Sequence, residues 1–141
     1  MGRNLLDLEV DTKGSPKNLD MMITLDGDDL CILAWNWVDT IKRRKSSGPQ
    51  ARFSIEITDL PDEMKGKILK GHRIDQDHGN PFAGWIEMGK PGELSKEQVE
   101  KLKNLSDETL RDDALDVIID DKAISLDFEL PPAAVIFLST K

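Results

Sequence analysis

The sequence predicts an all-β fold, an antiparallel β-sandwich of about seven to nine strands with one short helix. Three observations predict it. Most apolar residues recur with a period of two, in short runs. Turn-forming residues separate those runs, and a single stretch near residue 95 carries the signature of a helix start.

Residues 1–19 read as a linker or as a first strand that belongs with a preceding domain. Met21, Ile23 and Leu25 then alternate with Met22 and Thr24, and the tetrapeptide DGDD follows at 26–29. Asp-Gly between two strand-like runs is a hairpin signal, since both residues accept the positive φ that such turns need. The next run, LCILAWNWV at 30–38, is apolar on both faces, as in a central strand covered on both sides. The cluster Lys42-Arg43-Arg44-Lys45, followed by Ser46, Ser47, Gly48 and Pro49, reads as a solvated loop tip.

Residues 52–58 alternate cleanly and stop at Leu60-Pro61, and residues 67–74 supply a further strand containing Gly71. A helix is expected over about 95–105. There Ser95 and Gln98 have capping-box form, Leu94 and Val99 a hydrophobic-staple spacing, and Val99, Leu102 and Leu105 an apolar stripe. That helix should dock on a sheet edge or a neighbouring domain. Residues 115–119 return to strand and turn at Asp120-Asp121-Lys122. Ile124, Leu126, Phe128 and Leu130 form one strand face, Pro131-Pro132 breaks the ladder, and residues 133–139 form a last apolar strand.

A chain of 141 residues fits a single domain, here 1–141. Its net charge of −8 argues against nucleic acid or an anionic membrane as partner, because both would be repelled. No apolar run is long enough to span a bilayer, and the N-terminus does not read as a signal peptide, which favours a cytoplasmic location over a secreted one. Cys31 is the only cysteine; it lies in an apolar run and reads as a buried, inert thiol.

Chemistry is hard to find. Asp127 and Glu129 share a strand face, but that face should be solvated. DGDD is too short to supply the oxygens of a calcium site. No nucleophile–base arrangement or phosphate-cradling Gly-rich loop is visible. Both histidines, His72 and His78, fall in residues 71–91, the densest concentration of unusual residues. With Asp75 and Asp77 they match no zinc spacing, so a hydrogen-bonded loop packed against a partner surface is the preferred reading, with no metal and no cofactor. Trp35, Trp37 and Trp85 invite a sugar-stacking reading, yet aromatic content is only 5% without any tyrosine. Core or interface packing is the better assignment.

Taken in order, DGDDLCILAWNWVD, ARFSIEITDLP, GHRIDQDHGNPFAGWIEMGKP, LSKEQVEKL and ISLDFELPPAAVIFL resemble the C-terminal region of family 39 glycoside hydrolases. That family holds β-xylosidases and α-L-iduronidase. The most specific piece is His72-Arg73-Ile74-Asp75 with His78 and Asn80, followed by Trp85, Met88-Gly89 and Pro91. Leu33-Ala34-Trp35-Asn36 and Leu130-Pro131 also fit, so the resemblance covers about residues 20–140. Gly79 and Pro81-Phe82 depart from the family pattern, and residues 106–116 are unusually acidic.

The resemblance implies a division of labour. In that family a (β/α)8 barrel precedes the sandwich and carries both catalytic glutamates of a retaining mechanism. A barrel needs about 250 residues, so no catalytic residue carries over to this chain. It implies a non-catalytic accessory domain that packs on the barrel of the same polypeptide, with neighbouring subunits and oligosaccharide as further partners to consider. His72, Arg73, Asp75, His78, Asn80 and Trp85 are then candidates for barrel contact or the rim of the sugar pocket. The alternative is a stand-alone carbohydrate-binding or assembly sandwich.

Overall fold

The computed structural model describes residues 4–5, 19–37, 50–108 and 110–141. Among the described residues, eight strands and two α-helices follow in chain order: β1 (Asn4–Leu5), β2 (Leu19–Asp26), β3 (Asp29–Asn36), β4 (Ala51–Ile57), β5 (Ile68–Ile74), α1 (Pro81–Glu87), α2 (Lys96–Glu108), β6 (Val117–Ile118), β7 (Ile124–Leu130) and β8 (Ala134–Ser139). Every pairing is antiparallel. A six-stranded sheet in the order β1-β2-β3-β8-β5-β6 faces a two-stranded sheet, β4-β7. The all-β class and the sandwich are as the periodicity predicts.

Alternation makes the layers. Ala51, Phe53, Ile55 and Ile57 of β4 point inward with Ile124, Leu126 and Leu130 of β7. Opposite them, Ile23, Leu30, Ile32, Ala34, Ile136 and Leu138 line the inner face of the large sheet, and both sets belong to one core. Each fully buried Ile or Leu there contributes about 1.5–3 kcal/mol of transfer free energy. The Phe53 and Phe128 rings meet across β4-β7 with centroids 5.2 Å apart.

The β2–β3 hairpin has Asp26 opposite Asp29, which leaves Gly27-Asp28 as the two turn residues. Gly27 at φ 61° takes the first central position, as a type II′ turn requires. β7 and β8 belong to different sheets, and the turn between them carries the chain across the core. The Asn36 backbone carbonyl accepts from the Ala133 N–H at 2.9 Å, where Ala133 turns the chain at φ 61°.

Several details depart from the periodic reading. β3 is central in its sheet but covered on one face only; Cys31, Leu33 and Trp35 on the other face are half-buried. Cys31 is therefore a half-buried surface thiol rather than a core one, with its Sγ 3.9 Å from Ser139 Oγ. Residues 113–115 form a 3-10 turn, because Asp112 Oδ1 accepts from the Ala114 N–H, and the strand shrinks to Val117–Ile118. The helix at 96–108 begins with both bonds of its capping box: Ser95 N–H to Gln98 Oε1 at 2.9 Å and Gln98 N–H to Ser95 Oγ at 3.2 Å. It packs mainly on α1, not on a sheet edge.

Helix α1 itself lies inside the stretch read as a loop. Two turns are too short to show a 3.6-residue period, so its signals are at its ends: Pro81 at the first helical position and Gly89 just past the last. Residues 6–18, between β1 and β2, and the basic cluster at 42–45 lie outside the described residues.

Candidate functional site

Residues 71–91 leave the border of the large sheet, cross a hydrogen-bonded loop and enter α1. Gly71 of β5 is where the segment is anchored. A Cβ on it would stand 2.3 Å from Leu115 Cβ, so only glycine permits this approach. Its N–H donates to Asp116 Oδ1 at 3.0 Å, and its carbonyl accepts from the Asp112 N–H at 3.0 Å and from the Arg111 guanidinium at 2.7 Å. Arg111 also pairs with Asp116 at 2.5 Å and Asp113 at 3.1 Å. The Asp116 carboxyl is held below the usual range first by Arg111 and then by the Gly71 N–H.

Two residues on, Arg73 points to the inner side and is mostly buried. Its guanidinium lies 3.4 Å from Asp112 Oδ2 and 3.5 Å from the Glu129 carbonyl, with Nε 3.6 Å from Asp75 Oδ2. Nε is too far from that oxygen for a hydrogen bond, so the contact is ionic. Asp75 is buried with its side chain 5% exposed. Its Oδ1 accepts from the Asp77 N–H at 2.8 Å and the His78 N–H at 2.9 Å, and lies 2.9 Å from His78 Nδ1. Burial pushes this carboxyl up, but the His78 ring and the two backbone donors together outweigh it and hold its pKa below the ordinary value.

Asn80 has the next task. Its Oδ1 accepts from the Ala83 N–H at 3.3 Å and its amide donates to the Gln76 carbonyl at 3.2 Å, so it caps α1 and closes the loop in one residue. At the far end, Gly89 N–H bonds the Ile86 carbonyl and Lys90 N–H bonds the Trp85 carbonyl, which is a Schellman stop with both residues at positive φ. Trp85 donates Nε1–H to the Pro91 carbonyl at 3.1 Å and stacks on Phe82, ring centroids 5.5 Å apart. The buried Gly84 lets α2 approach, since a Cβ there would meet Leu105 Cδ1 at 2.4 Å. Phe82, 63% exposed, and Ile86, 42% exposed, face away from that contact.

The structure thus joins Arg73, Asp75, His78 and Asn80 into one network that shapes the loop and starts α1, and it places Trp85 on α1 itself. His72 stands apart on the outer face of the large sheet, its ring 6.4 Å from that of Phe137. Asp112, Arg111 and Asp116 complete the network and were not singled out from the sequence. The signal available was the acidic stretch 106–116, which supplies the counter-charges for Arg73 and Arg111. Among the described residues no three His, Cys, Asp or Glu side chains converge as metal ligands would.

The tryptophans fall on separate elements: Trp35 half-buried on β3, Trp37 just past it and 58% exposed, Trp85 on α1. Asp127 and Glu129 lie on the solvated face of β7 as expected. Arg52 grips Asp127 with two bonds of 3.0 and 2.7 Å and holds its carboxyl low, while Gln50 donates to Glu129 at 2.9 Å.

Residues 2–114 match the sequence profile of "Glycosyl hydrolases family 39". A β-xylosidase of Caldicellulosiruptor saccharolyticus is 33% identical over 100 residues, which make up 64% of this chain and 20% of the relative. The GH39 enzyme of Xanthomonas axonopodis pv. citri superposes with a TM-score of 0.66 at 17% identity, over 84% of this chain and 25% of its own. A GH39 β-xylosidase from Caulobacter crescentus gives 0.60 at 18% identity, over 84% and 22%. A bacterial orthologue of human α-L-iduronidase gives 0.61 at 16% identity, over 92% and 22%. At these identities the structural likeness establishes the fold. The chain spans about a fifth to a quarter of the length of these relatives. It belongs to glycosyl hydrolase family 39.

Proposed function

We propose that the chain is the non-catalytic, C-terminal accessory sandwich of a β-xylosidase-type enzyme, packed against a (β/α)8 barrel of the same polypeptide. The observation that carries this reading is one of extent. One hydrophobic core takes in both sheets, yet the match covers only 20–25% of each relative. Glycoside hydrolysis by two carboxyls needs one of them protonated at working pH, with a raised pKa. Among the described residues every carboxyl with a displaced pKa (Asp28, Asp75, Asp116, Asp121 and Asp127) is displaced downward. That electrostatic setting suits ion pairing.

In this reading His72, Arg73, Asp75, His78, Asn80 and Trp85 belong to a segment that serves the parent enzyme. The loop network holds α1 in place, and α1 presents Phe82 and Ile86 toward the barrel or a neighbouring subunit. Replacing Asn80 or Trp85 by Ala in the complete enzyme should lower its stability or activity.

The deciding experiment is to read the coding DNA upstream of the Met1 codon and to assay the 141-residue chain on an aryl β-xyloside. An open frame for a barrel and no release of product by the chain alone are expected. A stop codon directly upstream, together with retention on xylan, would overturn the proposal. It would favour a carbohydrate-binding module with exposed Phe82, stacked on half-buried Trp85, in its platform.

A further inference from the structure

The helical arm between β5 and β6 is built outside the core. The chain leaves the large sheet after Ile74 and returns beside it at Leu110, whose carbonyl accepts from the Arg73 N–H at 2.8 Å. Of the described residues from 75 to 110 only Asp75 and Gly84 are buried, and none belongs to the hydrophobic core. Core residues resume on either side of the arm, at Leu69 and Leu115. Helices α1 and α2 pack mainly on each other, with Gly84 set against Leu102 and Leu105. Their ends are also settled within the arm. Asn80 caps α1, Ser95 and Gln98 cap α2, and Trp85 holds the Pro91 carbonyl.

Two kinds of contact fasten the base of the arm. On the backbone, the bond between Arg73 and Leu110 is joined by one from the Asp112 N–H to the Gly71 carbonyl at 3.0 Å. Between the side chains, Arg73 faces one carboxylate from each leg: Asp75 on the way out, at 3.6 Å, and Asp112 on the way back, at 3.4 Å. The Asp75 and Asp112 side chains are 5% and 12% exposed, so water screens this group less than it would a surface pair.

We infer that residues 75–110 open and close as one cooperative unit about this neck while the sandwich stays folded, with Arg73, Asp75 and Asp112 as the lock. A segment that has its own helix contacts and caps, and no share of the core, opens at a free energy well below that of global unfolding. Neither helix outlasts the other. At 7 and 13 residues, α1 and α2 lie below or at the length of roughly 12–15 at which an isolated helix is marginal in water. The opened arm remains tied at both ends, so the sheets keep their register. A binding partner that prefers one state of the arm shifts this equilibrium without disturbing the core. The inference does not depend on the accessory-domain reading.

Native-state hydrogen exchange of the 141-residue chain in rising, sub-denaturing urea is the test. The probes are the amides of Met88 and Gly89 at the end of α1, of Val99 in α2, and of Ile136 in the core. Met88, Gly89 and Val99 are expected on one common isotherm, exchanging at least about a hundredfold faster than Ile136. Asp112→Asn keeps an acceptor for the Ala114 N–H and removes the charge that faces Arg73. It should speed Met88, Gly89 and Val99 together by about tenfold and leave Ile136 unchanged. Arm amides that exchange at the Ile136 rate would overturn the separate unit, and one isotherm for each helix would overturn its cooperativity. Unchanged arm amides in Asp112→Asn, or an equal change at Ile136, would overturn the lock. The parent chain decides the first two points whether or not the variant folds.

Discussion

The Asn36 side-chain amide donates to the Leu130 carbonyl at 3.1 Å, joining the last residue of β3 to the last residue of β7. Asn36 is 1% exposed, and its own carbonyl holds the Ala133 N–H, so one residue ties the large sheet to the small one and to the β7–β8 turn. Asn36→Ala removes the donor and strands a buried carbonyl. A loss of about 1–3 kcal/mol in urea unfolding is expected. Asn36→Asp should cost more, because it buries a charge and still cannot donate. A variant as stable as the parent chain would show that water replaces the amide.

Gly71 and Gly92 form a matched pair of opposite expectation. A Cβ at Gly71 collides with Leu115 Cβ, a backbone-anchored atom that cannot swing aside, whereas one at Gly92 meets nothing within 4 Å. Gly71→Ala should cost about 1–3 kcal/mol or more through overpacking. Gly92→Ala should lie within about 0.5 kcal/mol of the parent chain, as surface substitutions usually do. Thermal melting of the two variants side by side checks both.

Acid should loosen the loop before it unfolds the sandwich. In the folded chain the Asp75 carboxyl titrates below its ordinary value of 3.8. The unfolded chain therefore takes up that proton first as pH falls, and the stability contributed above 3.8 is lost on going down through the depressed pKa. Asp116, lowered by Arg111, adds to the loss in the same direction. The amides of Asp77 and His78, which donate to Asp75, should lose exchange protection ahead of core amides such as that of Ile136. In Asp75→Asn this acid step should vanish from the loop amides, with their protection already reduced at neutral pH.

At the start of α2, Ser95→Ala should cost about 1 kcal/mol, the usual worth of an N-cap side chain. Gln98→Ala should cost less, since it removes only the return bond to the Ser95 N–H. Because α2 packs chiefly on α1, the loss should appear as local fraying of α2 by hydrogen exchange, with the core sheets unaffected.

What could be read from residues alone was governed by period and by end signals. β4 and β7 were legible almost to the residue, because each alternates strictly and has water on one face. Ser95 and Gln98 announced α2 through a local pattern that needs no knowledge of the rest of the chain. Residues 30–38 misled: an apolar strand looks the same whether its second face is fully covered or half-buried. Residues 115–119 misled for a different reason, since Asp112 captures the backbone locally and shortens the strand. In the loop, a hydrogen-bonding task for Asp75 and His78 was legible, but the partners were not. Whether a carboxylate serves chemistry or architecture depends on which donors surround it, and here two of them are backbone N–H groups of its own turn.

The far border of β5 has a consequence for behaviour in concentrated solution. Sheet borders are templates on which other chains can add strands. Here Ile68 and Leu69 are taken by the two-residue β6, and beyond them Leu110 accepts from Arg73 while Asp112 donates to Gly71. The row of groups that would recruit an incoming strand is thus consumed by a short, kinked, acidic segment of the same chain. Growth into fibrils along this edge is blocked at the level of the backbone.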